Sequence, residues 1–215
     1  MDVPPFLLPL IPLRSKGLAG PSAESSSREL DSFAVEIQTQ RYWCWAAVSV
    51  SVATFYGAHS WTQCKLATAE LALDCCVSPA PCNRDYRLND ALTRVGHFGE
   101  LLWSPLAFLN VKSEIEADRP IGCRIQWAPN GRAAHFVVLG GWLVASDGSQ
   151  YVTVHDPARG RTQLLYLTFV SGYNQVPEAQ WTHSYIIKGQ AALGGTPHSE
   201  APNVSLISSF KEKRP

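Results

Sequence analysis

The apolar residues of this chain change period once, from helical spacing in the first half to strand-like runs in the second, and few folds accommodate that order. Cys44 to Tyr56 is an apolar, Ala-rich run closed by Gly57, which predicts a helix with a glycine stop. Val48, Val50 and Val52 are β-branched, so burial rather than intrinsic propensity has to hold it. Leu88 to Val95, ending at Gly96, and Val111 to Asp118, ending before Pro120, predict two more helices. Ile121 to Trp127, Ala134 to Leu143, Tyr151 to His155, Thr162 to Val170 and Ser184 to Lys188 then predict strands joined by Gly, Asn, Asp and Pro turns. Helices first and strands second mean an α+β fold with an antiparallel sheet.

With 215 residues, 46% of them apolar, the chain can bury one sizeable core and is short for two. Residues 1–32 form a Pro/Ser-rich head and linker, with the apolar run Phe6 to Leu13 interrupted by proline and the serines Ser25, Ser26 and Ser27 in a row. The head is an arm or a short propeptide. The folded domain is expected over 33–188, and 189–215, with Gly194, Gly195, Pro197 and Pro202, as a flexible tail. No Lys or Arg precedes the apolar head, so it lacks the pattern of a Sec signal, and the expected location is cytoplasmic or outside by a non-Sec route. The 18 Lys+Arg balance 18 Asp+Glu, which leaves no global field for nucleic acid or an anionic membrane surface. No run approaches the roughly 20 apolar residues that cross a bilayer. Oligomeric state leaves no mark in the sequence.

A reactive centre is suggested by Cys44, which opens the buried helix. Unpaired N–H groups and the positive end of the helix dipole stabilise a thiolate there. Gln38, six positions earlier in the loop leading to the helix, is placed to reach back over the sulfur. With the Cys44 N–H it would form an oxyanion hole. A thiolate nucleophile needs an imidazole, and His135 opens the apolar strand Phe136 to Gly141. The next strand ends in His155-Asp156-Pro157, which puts Asp156 near the same sheet edge, where it is expected to accept from His135 Nδ1–H.

Gln38 with Cys44-Trp45-Ala46-Ala47, then Ala134-His135-Phe136-Val137-Val138, then Asp156-Pro157, resembles the bacterial papain-like cysteine peptidases, in particular the AvrRpt2-type and staphopain-type group. The resemblance spans about Ile37 to Lys188 and implies a two-lobed fold. In it a helical lobe carrying the cysteine faces a sheet lobe carrying the histidine across a cleft for a protein or peptide substrate. It implies thiol-protease hydrolysis with no cofactor. Two features depart from the pattern: Trp43 stands before Cys44 where many such enzymes have a small residue, and His135 follows Cys44 at a shorter interval than in plant and lysosomal papains. The first leaves the cleft wall open.

Other readings compete for the same residues. The same triad serves transglutaminases and deamidase-type effectors, and an inert papain-like fold can serve as a binding module. Cys64, Cys75, Cys76 and Cys82 form one or two disulfides or remain reduced, and with Cys44 set aside Cys123 makes an odd fifth. Their spacing contains no Cys-x-x-Cys pair, so no metal site is expected. His155 reads as structural, His97 as a cap or surface residue, and Asp147 as part of a hairpin turn; His59 and His183 carry no signal. Trp142 and Trp181 are candidates either to shield the triad from water or to fill the core.

Overall fold

The computed structural model describes residues 24–128 and 133–189. The apolar head, His198 and the tail beyond residue 189 lie outside these residues. The fold is α+β: among the described residues five α-helices accompany one seven-stranded antiparallel sheet, five of whose strands come from the second half of the chain, where the change of period predicts them.

At the centre is α1 (Cys44–Phe55), in which every residue from Cys44 to Ala53 is buried. A helix that is apolar on all sides belongs inside the core. Its three valines, Val48, Val50 and Val52, are fully buried. Burying each stabilises by about 1.5 kcal/mol or more, against a helix-propensity loss of about 0.5 kcal/mol, so burial decides. The two polar residues on this helix are satisfied locally: Ser49 donates to Trp45 O at 2.8 Å and Ser51 to Ala47 O at 2.7 Å. Gly57, with φ 87°, ends it. Beside α1 lie α2 (Gln63–Leu71) and α3 (Leu88–Arg94). Helix α2 lacks a long apolar stripe, and its signature is a Thr62 side-chain cap on Lys65 N together with buried Leu66 and Ala67.

Strand β1 (Ser26–Glu29) comes before α1 in the chain; the others are β2 (Phe98–Leu102), β3 (Ile121–Gln126), β4 (Ala134–Val144), β5 (Gln150–Asp156), β6 (Gly160–Leu165) and β7 (Gln180–Ile187). The sheet order is β2-β7-β3-β4-β5-β6, with β1 on β4. Helix α4 (Phe108–Glu116) packs against β4, and α5 (Tyr166–Ser171) against β7 and β5. Strand β4 is long enough to pair with β3 over Ala134–Leu139 and with β1 over Gly141–Val144. Its glycine pair sits where neighbours crowd: a Cβ on Gly140 would stand 2.7 Å from His155 Nε2. The β4–β5 connection is the expected hairpin, with Asp147 accepting from Ser149 N at 2.9 Å and Gly148 at φ 85°.

Three sequence expectations change. Ser26–Glu29, read as linker, is strand β1, and Leu30 behind it is 3% exposed, so ordered structure begins before Phe33. Polar residues suffice there because the pairing uses backbone groups and one face looks outward. Thr162 to Val170, read as one strand, divides into β6 and α5. Tyr166, Phe169, Val170 and Tyr173 follow helical spacing, and Phe169 and Tyr173 bury that face. His97 is buried rather than on the surface, stacked on Tyr56 at 4.6 Å with Nδ1 3.1 Å from Lys188 O.

Candidate active site

Cys44 is the first residue of α1, and the residue before it, Trp43, provides no side-chain cap. The first intrahelical bond runs from Ala47 N to Trp43 O at 2.9 Å, so the earlier N–H groups have no helical acceptor. The aromatic residues around the cysteine face away from the cleft or frame it. Trp43 is 1% exposed and donates from Nε1 to Cys82 O at 2.8 Å; Trp45 donates to Arg84 O at 3.1 Å, and Tyr42 N to Asn83 Oδ1 at 2.9 Å. The receiving segment is closed by two disulfides, Cys64–Cys76 and Cys75–Cys82, which leave Cys44 and Cys123 as the free thiols among the described residues. Trp43 therefore anchors the Cys44 helix to a cross-linked scaffold, which accounts for its size at a position where the resemblance leads one to expect a small residue.

His135 is the second residue of β4 and is buried. Its Nε2 lies 2.6 Å from Asp156 Oδ1, at the end of β5. Sequence reasoning expected Nδ1 to make this bond. The ring is instead turned with Nε2 toward the carboxylate, so Nδ1 is its remaining nitrogen. Burial favours the neutral ring, yet hydrogen bonding and charge from Asp156 and Cys44 outweigh it and push the His135 pKa up to about 9. Trp127 stacks beside the ring with centroids 6.0 Å apart and planes 23° apart.

Asp156 is 1% exposed and, besides the histidine, accepts two hydrogen bonds and has an arginine nearby. Ala158 N donates to Oδ1 at 2.7 Å, Tyr173 Oη donates to Oδ2 at 2.7 Å, and Arg159 Nε lies 3.9 Å from Oδ2. Burial alone would raise this carboxyl, but His135, Tyr173 and Ala158 outweigh it and hold it below the ordinary range. Tyr173 in turn is pushed up by burial and by the carboxylate. Its O–H thus stays a donor.

Gln38 lines the cleft with Cys44, and its own N–H donates to Pro157 O at 2.8 Å, tying the loop to the Asp156 turn. Its side-chain Nε2 donates to Gln40 O at 3.0 Å and Arg41 O at 2.7 Å, while Oε1 is buried without a partner among the described residues. The amide is therefore engaged by its own loop rather than held open over the sulfur.

Neither of the tryptophans put forward from sequence shields the pair. Trp142 lies under Lys112 at 4.0 Å, and Trp181 packs on Phe169 at 5.2 Å in the core. The aromatic residues that touch the pair are Trp127, stacked on His135, and Tyr173, bonded to Asp156. Sequence reading missed both: the helical spacing that starts at Tyr166 is the signal that could have found Tyr173, while Trp127 has no local signal. His155 is buried edge-on against Phe33 at 5.0 Å and does not line the cleft. The cleft, of about 920 Å³, runs between the α1–α3 side and the sheet.

A cysteine at an uncapped helix start, across a cleft from a histidine–aspartate pair on a sheet, is the architecture of a papain-like cysteine peptidase. The sequence profile of the papain-like cysteine protease AvrRpt2 family matches residues 26–174, and the chain belongs to that family. It is a cysteine protease by that membership. Among solved structures, the fold is similar to that of a C39-like peptidase from Bacillus anthracis, with a TM-score of 0.50 and 12% identity over 76% of this chain and 98% of that one. No curated protein matches the sequence significantly. No helix among the described residues is long and apolar enough to cross a membrane.

Proposed function

We propose that the protein hydrolyses peptide bonds of a protein or peptide substrate, with Cys44 as nucleophile, His135 as acid and base, and Asp156 as the group that orients the imidazole. The observation that carries this reading is the buried 2.6 Å His135–Asp156 bond beside Cys44, with the imidazole pushed up to about 9. Near neutral pH that keeps the imidazole charged beside the cysteine, ready to protonate a leaving amine.

In the first half-reaction Cys44 Sγ attacks the scissile carbonyl carbon, and a C–S bond forms as the carbonyl π electrons move to oxygen. The Cys44 N–H donates to this oxyanion. Gln38 Nε2 joins it by exchanging one loop carbonyl for the oxyanion, a charged and therefore stronger acceptor. The C–N bond then breaks while His135 Nδ1–H protonates the leaving amine. In the second half-reaction water attacks the thioester and gives a proton to His135, and the C–S bond breaks to release the carboxyl product and the thiolate.

The test is alkylation of reduced Cys44 at about pH 5.5, where an ordinary thiol with a pKa near 8.5 is almost wholly protonated. The background is low because the other free thiol, Cys123, is fully buried and pushed up by burial. One fast adduct on Cys44, slowed in His135→Ala, together with peptide cleavage lost in Cys44→Ala, is the expected result. Labelling of Cys44 no faster than a free thiol refutes the reading. Ammonia release without chain cleavage would assign the same residues to deamidation or transglutamination.

A further inference from the structure

We propose that the cleft selects substrates carrying a carboxylate, on an acidic side chain or at a peptide C-terminus, and that Arg124 is the side chain that binds it. The proposal rests on the reading of this cleft as the peptide-binding site.

Positive charge is concentrated there in a chain whose 18 basic residues balance 18 acidic ones. Arg41, Arg87, Arg124 and Arg159 line the cleft, with Asp85 as the acidic lining residue on the opposite account. A cleft walled by protein focuses such a field toward its mouth. The four arginines differ in how much of their charge is already answered. Arg87 pairs with Asp90 at 2.6 Å, and Arg159 lies by Asp156 at 3.9 Å and donates to Asn174 at 2.6 Å. Arg41 is exposed and rests over Tyr42 at 5.4 Å.

Arg124 is different. It is half-buried in the middle of β3, and its Nη1 donates to two neutral oxygens, Gln126 Oε1 at 2.9 Å and Thr182 Oγ1 at 3.0 Å. No carboxylate lies within ion-pair range of it among the described residues, where Nε and Nη2 also lack a protein acceptor. The two neutral bonds fix the guanidinium plane, so little side-chain freedom is lost when a ligand binds. A partly desolvated guanidinium with unspent donors is costly unless something pairs with it. The positive field is felt locally: after burial, Arg124 is the further cause holding His183 low, and it opposes the upward push on Tyr185. Phe136 is its partner across β4, and Phe136 meets Tyr185 edge-on at 5.8 Å. That apolar wall beside the guanidinium suits the methylene stem of an acidic side chain.

The carboxylate of an acidic side chain and that of a peptide C-terminus share this chemistry, so the test separates them. Acetylated peptide libraries carrying Glu, Gln, Leu or Lys at one position are prepared with amidated and with free C-termini. Cleavage by the wild-type chain and binding to the full-length Cys44→Ala chain are both measured. At one position Glu is expected to exceed Gln by about tenfold or more in kcat/KM and in affinity, as a charged hydrogen bond provides. Arg124→Gln should erase that preference and Arg124→Lys keep part of it, with thermal unfolding confirming that both variants fold. If the preference instead follows the free C-terminus and is erased by Arg124→Gln, the bound carboxylate is the terminal one and Arg124 keeps its role. Binding with no carboxylate preference, or a preference that survives Arg124→Gln, overturns the proposal and leaves the peptidase reading intact. Selective binding without cleavage by the wild-type chain upholds the proposal and refutes the peptidase reading.

Discussion

Asp156→Asn keeps the size and an oxygen acceptor at this position while removing the charge that His135 faces. In the native site two neighbours, Asp156 and Cys44, lift the His135 pKa from 6.5 to about 9 against the pull of burial, and Asp156 ranks first of the two. The net lift corresponds to on the order of 3 kcal/mol of imidazolium stabilisation. If Asp156 carries at least half, its loss lowers the His135 pKa by more than about one pH unit, or about tenfold in the imidazolium equilibrium. Burial is untouched by the substitution and continues to pull the value down, so the fall is not compensated. The assay is a pH titration of the histidine ring carbons by NMR, with the His135 signal assigned from a His135→Gln spectrum. It needs no substrate. A midpoint that stays near 9 in a folded Asp156→Asn chain would refute the electrostatic account of the pair.

The same linkage ties stability to pH. A raised imidazole pKa stabilises the fold fully below about 6.5 and loses that stabilisation as pH rises through about 9, so the urea midpoint should fall across this window, by less in Asp156→Asn; a midpoint that rises there counts against it. Replacing Cys75 and Cys82 together by serine opens a short loop and should cost about 2 kcal/mol by chain entropy, with slower Cys44 alkylation because Trp43 and Trp45 lean on that segment. Unchanged unfolding and labelling would show that the staple does not support the helix start. A chain beginning at Phe33 should be less stable than one beginning at Glu24 by at least about 2 kcal/mol, since it loses buried Leu30 and the β1 pairing. Equal urea midpoints would return residues 24–32 to the status of a linker.

The helix that carries Cys44, the strands that carry His135 and Asp156, and the order of these three residues were legible because each is a local pattern. A run of small and β-branched residues closed by glycine reads as a buried helix whatever surrounds it. Strand β1 was not legible, because its four residues are polar and are held by backbone pairing to residues more than a hundred positions away. Helix α5 was hidden for a different reason: Tyr166, Phe169 and Tyr173 are β-formers by type, and only their spacing indicates a helix.

Sequence alone determined that this chain sets a cysteine at a helix start and a histidine at a strand start in an α+β fold, because period, glycine stops and residue order are properties of neighbouring residues. Tertiary structure decided which sulfurs join, that Asp156 meets Nε2 rather than Nδ1, that Trp127 and Tyr173 rather than Trp142 and Trp181 attend the pair, and that Gln38 is held by its own loop. It also brought Arg124 into the cleft wall without a carboxylate partner among the described residues. Each of these depends on the register and packing of segments distant in the chain, and no local pattern of residues specifies the partner that a side chain will meet across them.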